Sequence, residues 1–177
     1  ITIQAYQVGL VFGKGKLINV LEAGSYWIFG NKQVHIYEMK QSFVAPIELT
    51  ILLQNEKLAS LLEVIEIADN EIALYYVNGM FKEVLTTGRY AFWKGYLDNA
   101  FTKIDLSKVE ITEVVPVALL ENIKVRAYTR KYQVLNFEKG LLFVNGAFVK
   151  ELAAGNYYFW NNAIPIEVKN VDIRQQQ

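Results

Sequence analysis

The residues that could do chemistry are few and poorly placed for it. His35 is the single histidine and sits in "KQVHIYEMK", alternating with Val34 and Ile36 as a strand position would. A Ser-His-Asp triad or a histidine metal cluster therefore has at most one candidate, and an ordinary strand residue is the simpler reading. The absence of cysteine removes thiol catalysis, disulfides and thiolate metal sites together. Glu63, Glu66, Asp69 and Glu71 lie close in sequence, but no calcium loop with its glycine surrounds them, so they read as a solvated turn. The glycines of "GKGK" lack the helix start and the Lys-Ser/Thr ending of a phosphate loop. Lys124, Arg126, Arg130 and Lys131 form the one basic cluster, which could meet anionic lipid or an acidic partner and otherwise reads as a solvated strand face. No enzyme activity, cofactor or metal is expected.

Composition supports a packed domain without a charged partner. The 177 residues are 53% hydrophobic and 14% aromatic, and 18 basic residues balance 18 acidic ones. Such a chain buries a real core and has no net electrostatic pull toward nucleic acid or anionic lipid. Its longest apolar runs, such as "GLLFVNGAFV", fall far short of the roughly 20 residues of a spanning helix. The chain starts at Ile1 and stops in "VDIRQQQ", so it is expected to be a soluble piece of a longer polypeptide.

The elements that organise these residues come from a repeat. "KGKLINVLEAGSYWIF" (14–29), "NGMFKEVLTTGRYAFW" (78–93) and "NGAFVKELAAGNYYFW" (145–160) align without a gap. Gly15, Gly79 and Gly146 anchor them, 64 and 67 residues apart, and Gly24, Gly88 and Gly155 follow nine residues later. Asn78-Gly79 and Asn145-Gly146 are the pair best suited to a two-residue hairpin turn, so each anchor predicts a turn between strands. Alternating apolar residues flank the anchors, interrupted at Asn19, Glu83 and Lys150, where a bulge or strand end is expected. Tyr26, Tyr90 and Tyr157 follow the second glycines, and then come all the tryptophans, Trp27, Trp93 and Trp160. These aromatics read as core anchors of the repeats. An exposed platform for a ligand is the alternative.

A closing strand ends each unit: "QVHIYEMK", "AFTKIDLSKVEI" and "IPIEVKNVDIR". About four short antiparallel strands per unit are too few to stand alone, so neighbouring units must pack on one another. "NEKLASLLEV", with Asn55 as its cap, predicts a short helix near 55–64. The link "VPVALLENIKVRAYTRKYQVLNF" reads as mixed helix turn and strand. The expected fold is mostly β, with three tandem antiparallel units over 1–66, 67–130 and 131–177 and a short connecting helix.

The line "GLVFGKGKLINVLEAGSYWIF" resembles the opening of the stomatin/prohibitin/flotillin (SPFH, or band 7) family, in particular its slipin branch. There a glycine-anchored apolar line is followed by a V-D-[LI]-R element, matched here by Val171, Asp172, Ile173 and Arg174 and mirrored by Ile104, Asp105 and Leu106. The family's proline before the second glycine is replaced by Ala23, Thr87 and Ala154. The units also resemble the repeats of the major vault protein. The resemblance implies β units that precede a downstream SPFH core. It further implies a non-enzymatic scaffold in a membrane-associated protein, with protein partners, self-assembly of the full-length chain, and membrane residence through segments outside these residues. The rival expectation is a module that binds a small ligand, for example a carbohydrate, on exposed Tyr and Trp strand faces.

Overall fold

The structure, a computed structural model, describes residues 1–175. Its fold is mostly β, in several small antiparallel sheets joined through short helices. In the first repeat, β1 (Thr2–Ile3), β2 (Gln7–Gly13), β3 (Lys16–Leu21), β4 (Gly24–Ser25) and β5 (Lys32–Glu38) follow in order. A connector carries β6 (Ser42–Phe43), α1 (Leu49–Leu52) and α2 (Glu56–Leu61). The second repeat is β7 (Leu62–Ile67), β8 (Glu71–Val77), β9 (Met80–Leu85), β10 (Gly88–Trp93) and β11 (Asn99–Asp105). A second connector holds α3 (Val117–Leu120) and α4 (Ile123–Arg126), and the third repeat is β12 (Thr129–Val134), β13 (Glu138–Val144), β14 (Ala147–Leu152), β15 (Gly155–Trp160) and β16 (Ile166–Asp172).

Every repeat has five strands rather than four, divided between a three-stranded sheet and a two-stranded ribbon. The sheets run β3-β2-β5, β9-β8-β11 and β14-β13-β16, and the ribbons pair β1 with β4, β7 with β10 and β12 with β15. The strand absent from the sequence reading is the ribbon's first in the second repeat, "LEVIEI"; its counterpart "TRKYQV" lies in the link read as mixed helix turn and strand. Leu62 of "LEVIEI" continues the helical spacing of "NEKLASLL", while the partner strand lies more than twenty residues downstream. By contacts the chain divides into two compact units, 1–69 with 73–102 and 70–72 with 103–177.

The hairpins follow from their turn residues. Lys14, Asn78 and Asn145 have φ of 50 to 52° and the glycines after them 76 to 78°, the left-handed pair of a type I′ turn. Three residues on, each hairpin slips by one: Val11 faces Asn19 but Phe12 faces Leu17, leaving Ile18 as the extra residue. Lys82 and Val149 are the extra residues in the other two. The expected bulge therefore exists next to Asn19, Glu83 and Lys150, and it adds twist where the chain prepares to leave the sheet.

The departure from sheet to ribbon is a corner made the same way three times. Gly24, Gly88 and Gly155 take φ of 153, 151 and 153°, which a side chain rarely adopts. Two residues later a tyrosine hydroxyl donates back over the corner: Tyr26 to the Glu22 carbonyl at 3.0 Å, Tyr90 to Thr86 at 2.9 Å, Tyr157 to Ala153 at 2.7 Å. Ribbon and sheet then face each other across a small core with matching membership. It holds Ile3, Val11 and Leu21 with half-buried Ile28, then Ile67, Tyr75, Leu85 and Phe92, then Val134, Leu142, Leu152 and Phe159.

The connectors repeat as well. Asn55 accepts from the Leu58 amide at 3.0 Å and Asn122 from the Lys124 amide at 2.9 Å, each capping the second helix. Leu52, Leu58, Leu120 and Val125 are buried. The last connector residue accepts from just past the ribbon, Leu61 from Lys94 at 2.9 Å and Tyr128 from Asn161 at 2.8 Å. α1 was not legible in advance, because its one turn lacks a side-chain pattern long enough to show a period.

Replacing Gly88 with valine should cost about 1–3 kcal/mol, because a β-branched residue is excluded at this φ. Tyr90→Phe should cost about 1 kcal/mol, the net worth of one hydrogen bond. Thermal melts of the two variants check both, and an unchanged melt for Gly88→Val would refute the corner's role.

Candidate functional site

The second half of the ribbon strand is where the repeats share a geometry but differ in what covers it. In the second repeat β10 pairs with β7 over its whole length, and β6 adds on the other edge with Ala91 opposite Phe43 and Phe92 opposite Ser42. Trp93, 1% exposed, packs edge-on to Phe43 at 5.1 Å and near Tyr37 at 6.0 Å. One cluster joins Val8, Leu10, Phe12 and Val20 of the first sheet to Leu52 and Leu58 of the connector and to Trp93.

The third repeat is covered in a related way. β15 pairs with β12, and Phe159 bridges to Glu110 on its other edge. The Trp160 amide donates to Val109 at 3.0 Å and its indole to Glu113 at 3.2 Å, and the ring is fully buried. Glu121, capping α3, accepts from both the Tyr158 hydroxyl and the Lys131 ammonium. The Lys131 hydrogen bond, then the Tyr158 one, holds the Glu121 carboxyl below its ordinary value. Glu121 in turn raises both Lys131 and Tyr158.

The first repeat departs from this pattern and corrects the core reading of Trp27. β4 is two residues long, and its pairing stops at Tyr26, whose amide donates to the Ile1 carbonyl at 2.8 Å. Trp27 is 88% and Phe29 72% exposed. By the glycine alignment Phe29 stands where Trp93 and Trp160 stand, and Trp27 where Ala91 and Tyr158 stand. The two-residue offset of Trp27 was visible in the sequence. Its exposure was not, since that depends on whether a connector lies over it. The loop after it, Gly30 and Asn31, is three residues shorter than 94–98 or 161–165.

The basic cluster does not form one patch of free cations. Arg130 is a structural pin, donating to the Ile164 carbonyl at 2.8 Å, the Trp160 carbonyl at 3.0 Å and Asn162 Oδ1 at 3.2 Å. Lys131 is committed to Glu121, while Lys124 and Arg126 are exposed on α4. His35 lies edge-on to Phe12 at 5.3 Å and lines an open cleft of about 360 Å³ with Lys14, Gln33 and Ile47. Of the clustered carboxylates, Glu66 pairs with Arg89 and Glu71 with Lys103.

The V-D-I-R element has a local role. Asp172 accepts from the Arg174 amide at 2.9 Å and pairs with its guanidinium at 2.6 Å, and that guanidinium lies 3.8 Å over the Phe137 ring. Asp105 with Ser107 and Glu38 with Lys40 occupy the same positions in the other repeats. The amides of Met39, Leu106 and Ile173 then close each unit on Tyr6, Asn70 and Phe137. On the third sheet, Lys139 and Glu151 form an ion pair at positions held in the first by buried Val8 and Val20.

Comparison with protein-family models, with curated proteins and with solved structures finds no match. Among the described residues no helix is long and apolar enough to cross a membrane.

Trp93→Ala should destabilise by about 3–5 kcal/mol, the usual loss for a buried aromatic, whereas Trp27→Ala should stay within about 0.5 kcal/mol, as exposed positions do. Denaturant melts compare them directly. Arg174 also holds the Asp172 carboxyl below its ordinary value, chiefly by side-chain hydrogen bonding. A depressed carboxylate stabilises the fold above its unfolded value of about 3.9, and that contribution is lost as the pH falls through the lower folded value. NMR titration of Arg174→Gln should show the Asp172 value rise toward the unfolded one.

Proposed function

We propose that the chain is a non-enzymatic assembly module, the β-repeat part of a membrane-associated scaffold of the SPFH slipin type, whose work is to make protein-protein contacts. One observation carries the reading: the large aromatics Trp93 and Trp160 are enclosed beneath connector segments rather than open in a groove. A ligand-binding strand face would present such rings to solvent. Tandem units joined by capped connectors, each covering the ribbon that follows, are instead the makings of a spacer whose stability comes from nearest neighbours. In this reading the membrane is reached through other segments, a downstream SPFH core supplies higher assembly, and nucleic acid is not a partner.

Trp27, alone among the tryptophans, favours the second reading, in which its open ring stacks on a small ligand such as a carbohydrate. Two titrations separate the readings. Mixed with phosphatidylserine liposomes, the chain should remain in the supernatant, and its tryptophan emission should not respond to a panel of oligosaccharides. A saturable emission change abolished by Trp27→Ala would replace the assembly reading with ligand binding. Sedimentation with liposomes that is lost in the double variant Lys124→Gln, Arg126→Gln would make α4 a lipid contact.

A further inference from the structure

We infer that the hairpin tip of the first repeat, with the two clefts beside it, binds an acidic peptide segment of a partner protein. The inference rests on the assembly reading and gives one of its contacts a chemistry. β2 and β3 turn at Lys14-Gly15, and Gly13 stands opposite Lys16 on one side and Lys32 on the other. Three lysines therefore ring one turn, with Lys16 and Lys32 on the same face about 10 Å apart, two strand spacings. All three are exposed, and no ion pair among the described residues includes them. Residues 1–37 hold a single acidic residue, Glu22, and it pairs with Lys57 at 3.0 Å. The same positions, two in the turn and one opening the closing strand, are Asn78, Met80 and Asn99 in the second repeat and Asn145, Ala147 and Ile166 in the third. Asn78-Gly79 and Asn145-Gly146 are as exposed as Lys14-Gly15, so solvent access belongs to the hairpin itself and charge is what sets the first tip apart.

The chain as a whole is neutral, so this concentration of charge makes a local field that draws anions. What adjoins the lysines selects among them. An open cleft of about 360 Å³ lies on the Phe12 face, lined also by Gln33, His35, Pro46 and Ile47, and a second of about 410 Å³ lies on the Gly13 face with Ile18 and Lys32. Lys14 and Asn31 line both, and no acidic residue lines either. Ile18, the bulge residue, reaches across Gly13 to within 3.2 Å of where a Cβ would sit, so Lys16 and Lys32 flank an apolar spot. The carboxamides of Asn31 and Gln33 can donate to a peptide carbonyl and accept from a peptide amide. Lysines are separate point charges, suited to carboxylates spaced along a chain, whereas arginine supplies the fork that grips a phosphate in two places. A lipid headgroup would use the charge alone. An acidic peptide with an apolar side chain uses the charge, the carboxamides and the apolar walls together.

The test adds the peptide Glu-Glu-Leu-Leu-Glu-Glu to the isotope-labelled chain and follows it by NMR. The Asn31 and Gln33 side-chain amides and the Gly15 backbone amide should shift saturably, while the Gly79 and Gly146 amides at the uncharged tips stay in place. The triple variant Lys14→Gln, Lys16→Gln, Lys32→Gln should bind about tenfold more weakly, as the loss of three exposed ion pairs would give. Its thermal melt should match that of the parent, since exposed unpaired side chains add little to stability. The peptide Glu-Glu-Ser-Ser-Glu-Glu, with the same charge and no apolar side chain, should also bind more weakly. No shift at the first tip, or equal binding by the triple variant or by the serine peptide, overturns the inference and leaves the assembly reading intact. Phosphatidylserine vesicles that perturb the Gly15 and Asn31 signals where the peptide does not would assign the tip to lipid. That result overturns the inference together with the reading that the membrane is reached through other segments.

Discussion

The structure turns on a corner in which a glycine and a tyrosine depend on each other. The chain must leave a three-stranded sheet and enter a ribbon within two or three residues, and it does so at φ near 150°, where a side chain would be strained. Such a corner is costly unless held, and the tyrosine hydroxyl holds it by donating to the carbonyl four residues back. Its ring lies over the glycine, within 3.3 to 3.8 Å of where a Cβ would sit. The sheet's hairpin fixes where the corner begins, and the corner fixes which side chains of the ribbon point inward. The small core of every repeat, and the placement of Trp93 and Trp160, follow from it.

Most of what is local was legible in the sequence. Asn78-Gly79 and Asn145-Gly146 specify their turn by backbone preference alone, Lys14-Gly15 follows by alignment, and the break in alternation marks the bulge. What was not legible is what depends on distant pairing. "LEVIEI" becomes a strand because Gly88–Trp93 is there to pair with it, a non-local fact that the helical spacing of Leu62 obscures. Trp27 shows the same limit from the other side, because nothing in its type or immediate neighbours distinguishes an exposed tryptophan from a covered one. The basic cluster divided for a similar reason: Arg130 finds three acceptors on the 160–164 stretch, 30 to 34 residues away in sequence.

The V-D-I-R element that carried the family resemblance has a modest physical meaning in this chain. An acid at the end of the closing strand draws back a donor two residues on, and the unit is latched by one backbone bond to its opening turn. Glu38 with Lys40 and Asp105 with Ser107 reach the same end with other residues. The motif is therefore one solution among three to a recurring mechanical need.

The way a connector is shared between consecutive repeats bears on how the chain is made. The first sheet is complete once Glu38 has been synthesised, yet Val8, Leu10, Phe12 and Val20 on its face reach their final cover only when Trp93 arrives. At about 5–20 residues per second, a ribosome holds that apolar face open for roughly 3 to 11 s. A chain stalled in that interval carries a finished repeat with an unfinished surface, the kind of species that chaperones capture and that aggregates when they do not.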